Sequence, residues 1–237
     1  MEFFQFSKGN PNLITAPHCS YKIKDNGLEK GSADRGTDII AEYMAEKLGF
    51  SIQTAVFSRF TLDFNSNRDN AIPTKFNNHN IPVVSEEEKN FRLKRYDKYY
   101  ENIKSIIKKG SLHIALHSMF PTGPKGSIDE GISRPDFRLG TLNGATIDDK
   151  KAAFLMKYLK ENGYYPRLND VFVGKEEIKK TREYGAESIQ IEINAKYLLN
   201  PNLKEIDQQA VMIIAELLAN GISALINSDS FPFNHSP

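Results

Sequence analysis

The stretch SLHIALHS, residues 111–118, has the pattern of a buried strand that ends in polar residues. Its aliphatic side chains favour the interior of a sheet, and it follows a long charged helical pattern that closes at Gly110. Beyond it, the glycine- and proline-rich segment 121–140 is too long to be a simple connection. In open α/β sheets the ligand site lies where strands end. We therefore treat His117, at the end of this strand, as a candidate functional residue.

Strand-like and helical patterns alternate along the rest of the chain. Strands are predicted at 12–18, 51–60, 111–117 and 188–194, and helices at 38–50, 86–110, 147–164 and 206–226. This alternation is typical of an α/β fold. We expect a single domain, residues 1–237, built on a mixed, largely parallel sheet that is flanked by helices.

Composition narrows the classes of partner. The chain has 237 residues, with 31 Lys and Arg against 30 Asp and Glu and a net charge of +1, so no basic field favours nucleic acid. Its single cysteine, Cys19, excludes an intramolecular disulfide framework. The sequence shows neither a secretory signal pattern nor an apolar run of membrane length. We expect a cytoplasmic protein whose partner is a small molecule, not nucleic acid or a membrane, and the oligomeric state stays open.

Residues that can carry chemistry lie where these elements begin or end. His18 follows the first strand, Asp34 precedes the first helix, His117 ends the central strand, and Glu192 lies on the polar face of strand 188–194. Two imidazoles and a carboxylate around an open fourth position make a catalytic zinc site, and a further carboxylate supplies a general base. This combination predicts a metal-dependent hydrolase that cleaves an amide.

Each of these residues also has a structural explanation. A lone histidine at a strand end usually makes a structural hydrogen bond. Asp34 and Asp38 both suit the N-cap or first turn of a helix, and Glu192 suits a solvent-facing strand position. The spacing of the residues does not decide between the two explanations.

The remaining histidines are interpreted as structural or surface residues. His113 shares the strand face of His117, but four residues at ~3.3 Å each put it roughly 13 Å away, too far to share one metal. We therefore interpret His113 as structural. His79, in an asparagine-rich turn, and His235, in the C-terminal tail, are interpreted as surface residues.

Seven short motifs together resemble those of a known family. They are APHCS, ADRGTD, SRFTLDFN, LHSM, GTLNG, TREYG and IQIEIN. In order and spacing they resemble the N-formylglutamate amidohydrolase family of zinc hydrolases, over residues 12–220. The resemblance implies a phosphorylase/hydrolase-like α/β fold that is similar to zinc carboxypeptidases and bacterial cell-wall amidases.

The resemblance also implies roles for the candidate residues. His18, Asp34 and His117 match the zinc ligands, with Asp38 as the alternative carboxylate. Glu192 matches the acid of the family's Gln-x-Glu-Ile strand. It would be the general base that takes a proton from the attacking water and then delivers it to the leaving amine.

A second set of residues is implied to bind substrate. Arg59 matches the family's arginine, whose planar fork suits a substrate carboxylate or the oxyanion. The alternative for Arg59 is a structural salt bridge to Asp63. Asn65 and Ser118 are the other implied substrate contacts.

The chain departs from the family pattern at three places. The segment DFNSNRDN separates Arg68 from the asparagine that an arginine usually follows directly. Ala115 stands where an aspartate is usual, so Ser118 or a backbone carbonyl would orient the nearby His117. The segment LNDVFVGKEEI stands where the family tends to show Asn-x-Pro-Phe with a Gly-Gly pair. These departures bear on the substrate more than on the reaction class.

The sequence thus predicts a Zn²⁺-dependent amidohydrolase that acts on an anionic N-acyl amino acid or short peptide, with N-formyl-L-glutamate as the candidate substrate. Segments 121–140 and 64–85 are expected to form the walls that set specificity. Two alternatives stay open. One is a peptidoglycan-type amidase or carboxypeptidase acting on a small peptide, and the other is a non-catalytic binding protein that retains the fold.

Overall fold

A computed structural model of the chain describes residues 4–19, 33–76 and 79–228. In chain order, the elements of this described part are β1 (Phe4–Ser7), β2 (Asn10–Ala16), α1 (Thr37–Leu48), β3 (Phe50–Ala55), β4 (Lys75–Phe76), β5 (His79–Asn80), α2 (Glu86–Ile106), β6 (Leu112–Met119), β7 (Phe137–Gly140), α3 (Asp149–Glu161), β8 (Pro166–Leu168), α4 (Glu176–Glu183), β9 (Glu187–Asn194) and α5 (Gln208–Ile226). The main sheet has the strand order β1-β3-β2-β6-β9-β7-β8, and β4 pairs separately with β5.

The main sheet is mixed and largely parallel, as the sequence predicts. β2 runs parallel to both β3 and β6, β6 runs parallel to β9, and β7 runs parallel to β8. The antiparallel pairs are β1 with β3 and β7 with β9. Because β2, β6 and β9 are adjacent and parallel, their carboxyl ends meet at one edge of the sheet. His18, His117 and Glu192 lie at that edge.

The two faces of the sheet pack against different helices. On one face, α1 packs on β2 and β3, and α5 packs on both α1 and α3. On the other face lie α2 and α4, where the Tyr99 hydroxyl of α2 donates to the Glu177 carboxylate of α4. The central strands are therefore covered on both sides, which is why their side chains are buried on both faces.

Strand β9 alternates between apolar and polar side chains, as its sequence predicts. Ile189, Ile191 and Ile193 belong to the apolar core. Gln190 and Glu192 alternate with them and are also buried, with exposed fractions of 2% and 7%. Glu192 is therefore not a solvent-facing strand residue.

All eight predicted elements are present, although their ends shift. The largest shift is in the predicted strand 51–60, which ends at Ala55. The chain then turns, because the amides of Thr61 and Leu62 both donate to the Ser58 carbonyl. The patterns do not predict the short strands β1, β4, β5, β7 and β8 or the helix α4. The strands have two to four residues, and α4 (EEIKKTRE) carries a single aliphatic side chain, so none gives a periodic signal.

Helix α5 is long and apolar enough to cross a membrane by length and composition. Its most apolar window has a mean hydropathy of 1.7, contrary to the expectation that no run would reach this length. However, 44% of that window is buried inside the protein, and the helix packs on α1 and α3. The packing of the core thus accounts for its apolar face.

Candidate functional site

Three of the predicted residues meet at the carboxyl edge of the sheet. The ligand-type atoms of His18, Asp34 and His117 all lie within 4.8 Å of one another, and all three residues are buried. Asp34 Oδ2 lies 2.9 Å from His117 Nδ1 and 3.5 Å from His18 Nδ1. The two imidazole rings meet edge to face, with their centroids 4.8 Å apart. Both Nδ1 atoms therefore face the same carboxylate.

The backbone around α1 explains why Asp34, and not Asp38, joins this group. The Asp34 amide donates to the His18 carbonyl at 2.9 Å, which places the two residues side by side. The N-cap of α1 is Gly36, in the left-handed region at φ 84°, so Asp34 is not the cap. Asp38 lies in the first turn of the helix, outside the group.

Asp63 orients His18 from outside the group. Its Oδ1 atom accepts from His18 Nε2 at 2.8 Å. With the proton on Nε2, His18 presents the lone pair of Nδ1, a buried atom to which no described residue makes a hydrogen bond. The sequence predicts Asp63 only as a salt-bridge partner of Arg59, although its place in the SRFTLDFN motif is an available signal.

Two amides link His117 to Glu192. The Asn65 amide nitrogen lies 3.2 Å from His117 Nε2 and donates to Gln190 Oε1 at 3.3 Å. Gln190 Nε2 in turn donates to Glu192 Oε1 at 2.8 Å. Asn65 Oδ1 accepts from the Glu177 backbone amide in the first turn of α4. Asn65 therefore positions two residues of the site, in addition to lining the cavity described below.

Glu192 stands directly beside His117, because the two residues are partners in the parallel register of β6 and β9. Burial raises the pKa of the Glu192 carboxyl, and the His117 charge opposes part of this rise. A buried carboxyl with a raised pKa next to a candidate metal group suits proton transfer near neutral pH.

Within the group, charge favours an ionised carboxylate between the imidazoles. Burial raises the pKa of Asp34, but the hydrogen bond with His117 and the nearby His18 imidazole outweigh burial and hold that pKa below its usual value. Burial lowers the pKa of His117, whereas its hydrogen bond with Asp34 and the charge of Glu192 raise that pKa overall. The negative charge of Asp34 is thus available to a cation held between the rings.

The donor set fits zinc. Zinc in catalytic sites takes imidazole nitrogens and carboxylate oxygens at about 2.0–2.2 Å, so tetrahedral ligands lie roughly 3.4 Å apart. The separations between Asp34 Oδ2 and the two Nδ1 atoms, 2.9 and 3.5 Å, are close to that value. The buried His18 Nδ1, which has no hydrogen-bond partner in the described chain, is an atom that a metal would satisfy.

Arg59 both forms an ion pair and lines the cavity. Its Nη2 donates to Asp63 Oδ2 at 3.1 Å, so the salt bridge considered as the alternative is present. Burial lowers the pKa of Arg59, but the negative charges of Asp63 and Asp34 outweigh burial, and the guanidinium stays charged. The ion pair therefore does not remove Arg59 from the site.

The site opens into a cavity of about 590 Å³, which Ser118 also lines. Both predicted wall segments border this cavity. Segment 121–140 contributes Pro124, Ser127 and Arg134, and segment 64–85 contributes Asn65. The size lies within the ~300–1,000 Å³ that is usual for small-molecule sites.

Two further residues, Phe172 and Lys175, line the cavity, and the sequence analysis does not predict either of them as a site residue. They precede α4, a helix without an apolar stripe, and come to the cavity only because that helix packs beside β6 and β9. The departure of the segment LNDVFVGKEEI from the family pattern is the one signal that points to them.

The other candidate residues lie outside the group. Arg68 forms an exposed ion pair with Asp97 and does not line the cavity. His113 is buried, and its two ring nitrogens lie 3.0 Å from the Thr15 hydroxyl and 2.9 Å from the Thr181 hydroxyl. The side chain of His79 and the whole of His235 lie outside the described part of the chain.

A family model described as N-formylglutamate amidohydrolase matches residues 10–199, which include every residue of the site. The chain belongs to the N-formylglutamate amidohydrolase family. As a member of this family, it is an amidohydrolase, an enzyme that acts on amide bonds. Comparison with curated protein sequences finds no match.

Solved structures share the fold of this amidohydrolase. The N-formylglutamate amidohydrolase of Ralstonia eutropha JMP134 has a TM-score of 0.73 and 18% identity, over 95% of this chain and 98% of that one. A gene product of Agrobacterium tumefaciens has a TM-score of 0.70 and 19% identity, over 96% and 97%. The succinylglutamate desuccinylase of Chromobacterium violaceum has a TM-score of 0.51 and 9% identity, over 96% and 66%. These similarities confirm the predicted α/β architecture.

Proposed function

We propose that this amidohydrolase is zinc-dependent and hydrolyses an anionic N-acyl amino acid, with N-formyl-L-glutamate as the candidate substrate. The observation that supports the proposal is the group of His18, Asp34 and His117, whose ligand-type atoms lie within 4.8 Å of one another. Glu192 is the direct register partner of His117, so a further carboxylate lies beside that group. Family membership supplies the reaction class.

His18, Asp34 and His117 would hold the metal. When bound, zinc supplies a Lewis acid that polarises the scissile carbonyl and makes water more acidic. Asp63 fixes the His18 ring through Nε2, and Asn65 contacts His117 through Nε2. The carboxylate behind His18 is the usual support of a metal-binding histidine, and the Asn65 amide holds the His117 ring from the side away from Asp34.

Glu192 is the proposed general base. It takes a proton from the attacking water and delivers that proton to the leaving amine as the amide C–N bond breaks. Glu192 Oε1 already accepts a hydrogen bond from Gln190 Nε2, so Oε2 is the oxygen that receives the proton. The raised pKa of Glu192 allows the carboxyl to keep the proton between the two steps.

Arg59 and Ser118 are the proposed substrate contacts. Arg59 uses Nη2 for Asp63, and its charge at the cavity wall suits a substrate carboxylate or the oxyanion. Ser118 adds a hydroxyl to the same wall. A cytoplasmic location is part of the proposal, because a single cysteine is in keeping with a reducing compartment.

Metal analysis of the purified protein is the first test. We expect one zinc per chain in the wild type and in His113→Gln, and almost none in His117→Ala. His113 is the matched control, because it is a buried histidine on the same strand. Equal zinc in all three proteins would contradict the ligand assignment, and a wild type that takes up no zinc would favour the non-catalytic binding protein.

A second pair of variants tests the carboxylate ligand. Asp34→Ala should lose zinc, whereas Asp38→Ala should keep it, because only Asp34 faces both histidines. Equal retention in both variants would mean that neither carboxylate is a ligand. The zinc-loaded wild type is then assayed with N-formyl and other N-acyl amino acids by the release of free amine, and a protein that releases none is not the proposed enzyme.

A further inference from the structure

Cationic side chains line the cavity in excess of carboxylates. The cations are Arg35, Arg59, Arg134 and Lys175, and the carboxylates are Asp34 and Glu192. Three of the cations are engaged by the protein: Arg35 donates to the Lys204 carbonyl, Arg59 to Asp63, and Arg134 to Asp129. The Lys175 ammonium makes no ion pair or hydrogen bond with any residue of the described chain. It is therefore the cation most available to a ligand.

The wall beside Lys175 is built from arginines that are held in ion pairs. Asp129 accepts from Arg134 Nε and Nη2 at 2.7 and 2.8 Å, and from Arg138 Nη1 at 3.1 Å. The Phe172 ring lies against both guanidiniums, whose central carbons are 5.1 and 5.0 Å from its centroid. Arg134 thus has its charge balanced inside the wall, whereas Lys175, three residues beyond Phe172, does not.

The backbone holds the start of α4 beside the site. Gly174 adopts φ 102°, a conformation that favours glycine, and packs against Gly140 so closely that a Cβ on Gly140 would lie 2.6 Å from the Gly174 nitrogen. Lys175 follows as the N-cap of α4. Two residues later, the Glu177 amide donates to Asn65, which itself contacts His117. Lys175 therefore starts from a fixed position, and its exposed side chain lines the cavity.

Lys175 also lies within electrostatic reach of Asp63, the carboxylate that orients His18. Burial raises the pKa of Asp63, but nearby positive charges outweigh burial and lower that pKa overall. Arg59 and His18 make the larger contributions, and Lys175 adds a smaller one. Arg59 and Lys175 line the same cavity of about 590 Å³. A small dicarboxylate could therefore contact one cation with each of its carboxylates.

We propose that Lys175 is a specificity-determining residue, which binds a second carboxylate of the substrate and so selects N-acyl amino acids with an acidic side chain. This inference rests on the proposed function for the class of substrate. An ammonium without a partner in the described chain gains a new charge-assisted contact from the ligand, whereas Arg59 and Arg134 each already have an ion-pair partner in the protein. Because Lys175 is exposed, this contact weakens at high salt.

The test compares an acidic ligand with its neutral isostere. Binding of N-formyl-L-glutamate and N-formyl-L-glutamine is measured by calorimetry in a Glu192→Gln background, where turnover is suppressed. We expect the acidic compound to bind about fivefold more tightly, which is the upper range for an exposed ion pair. Adding Lys175→Met should remove that preference and leave the binding of the neutral compound within about twofold. Lys179→Met is the matched control, because Lys179 is an exposed lysine one turn further along α4.

The outcomes separate this inference from the proposed function. If Lys175→Met keeps the preference, or if the protein shows no preference, Lys175 does not select the second carboxylate, even where the wild type hydrolyses N-acyl amino acids. If Lys175→Met removes the preference but the wild type hydrolyses neither compound, the proposed function fails and the binding role of Lys175 stands. An equal loss in Lys179→Met would assign the effect to general surface charge and overturn the inference.

Discussion

Strand β6 carries two buried histidines whose surroundings differ. The ring of His113 lies 3.0 Å from the Thr15 hydroxyl and 2.9 Å from the Thr181 hydroxyl. The ring of His117, four residues further along, lies 2.9 Å from the Asp34 carboxylate. One end of the strand thus holds its histidine between neutral hydroxyls, and the other end holds its histidine against an anion.

The pKa values of the two histidines move in opposite directions. Burial lowers the pKa of His113 to about 3. Burial also lowers the pKa of His117, but Asp34 and Glu192 reverse the direction and raise it. Burial by itself therefore produces a neutral, structural histidine, and carboxylates are needed to produce one that stabilises positive charge.

The neighbouring strand repeats this contrast. In the parallel register of β6 and β9, the partner of His113 is Ser188 and the partner of His117 is Glu192. The Ser188 hydroxyl joins the Thr181 hydroxyl at 2.7 Å, as part of a neutral network. The two equivalent register positions should therefore differ sharply when they are mutated.

The largest expected effect tests that register directly. Glu192→Gln should keep its zinc and lower kcat by on the order of a hundredfold or more, because it removes the general base. Ser188→Ala, at the equivalent position beside His113, should change kcat little. Amine release under substrate saturation, with zinc content measured in the same preparations, checks both variants. Full activity in Glu192→Gln would show that another group takes the proton.

A smaller effect is expected from the carboxylate behind His18. Asp63→Asn removes the charge that accepts from His18 Nε2, so it should weaken zinc binding by roughly 10- to 100-fold. Asp97→Asn is the control, because Asp97 is an exposed carboxylate that pairs with Arg68 away from the cavity. Competition with a chromophoric chelator measures the affinity. Unchanged affinity in Asp63→Asn would mean that the charge of the Asp63 carboxylate is not needed to orient His18 for the metal.

The smallest effect concerns the stability that His113 contributes. Its pKa is about 3 in the folded protein, against an ordinary value of 6.5. Between these values the unfolded chain binds a proton that the folded protein does not, so this contribution is present above pH 6.5 and falls with pH by up to ~1.4 kcal/mol per unit. The free energy of unfolding of the wild type, relative to His113→Gln, should therefore fall by about 1 kcal/mol from pH 6 to pH 5.

Urea unfolding of both proteins at pH 7.5, 6 and 5 measures this difference. The comparison with His113→Gln is needed because Glu177, with a pKa raised to about 7 by burial, has the opposite dependence. A difference that does not change with pH would mean that His113 titrates normally in the folded protein, and the contrast with His117 would disappear.

Much of the fold could be predicted from local patterns. Strand β9 alternates isoleucines with polar residues. Helix α3 begins directly after its N-cap, Asp148, whose side chain accepts from the Lys150 amide. These signals lie within a few residues of one another, so they do not depend on the rest of the structure. β7 and β8 have no such signal, because strands of four and three residues acquire their conformation from the neighbours with which they pair.

The candidate site was predictable only in part. His18 and His117 lie at the ends of predicted strands, Glu192 lies on the polar face of its strand, and the motifs that contain them resemble one family, so the sequence identifies them. The choice of Asp34 over Asp38 depends on the hydrogen bond from the Asp34 amide to the His18 carbonyl. The family resemblance already favours Asp34, and this hydrogen bond gives the physical reason.

The sequence by itself determined the α/β class, the family resemblance and the residue types that could bind a metal, because each is encoded in short stretches of chain. The tertiary structure decided which of these residues meet. Asp34 and His117 are 83 residues apart, and Asn65 and Gln190 are 125 apart, yet each pair is in hydrogen-bond contact. Such contacts depend on strand register and helix packing across the whole sheet, and so does the position of Lys175 at the cavity.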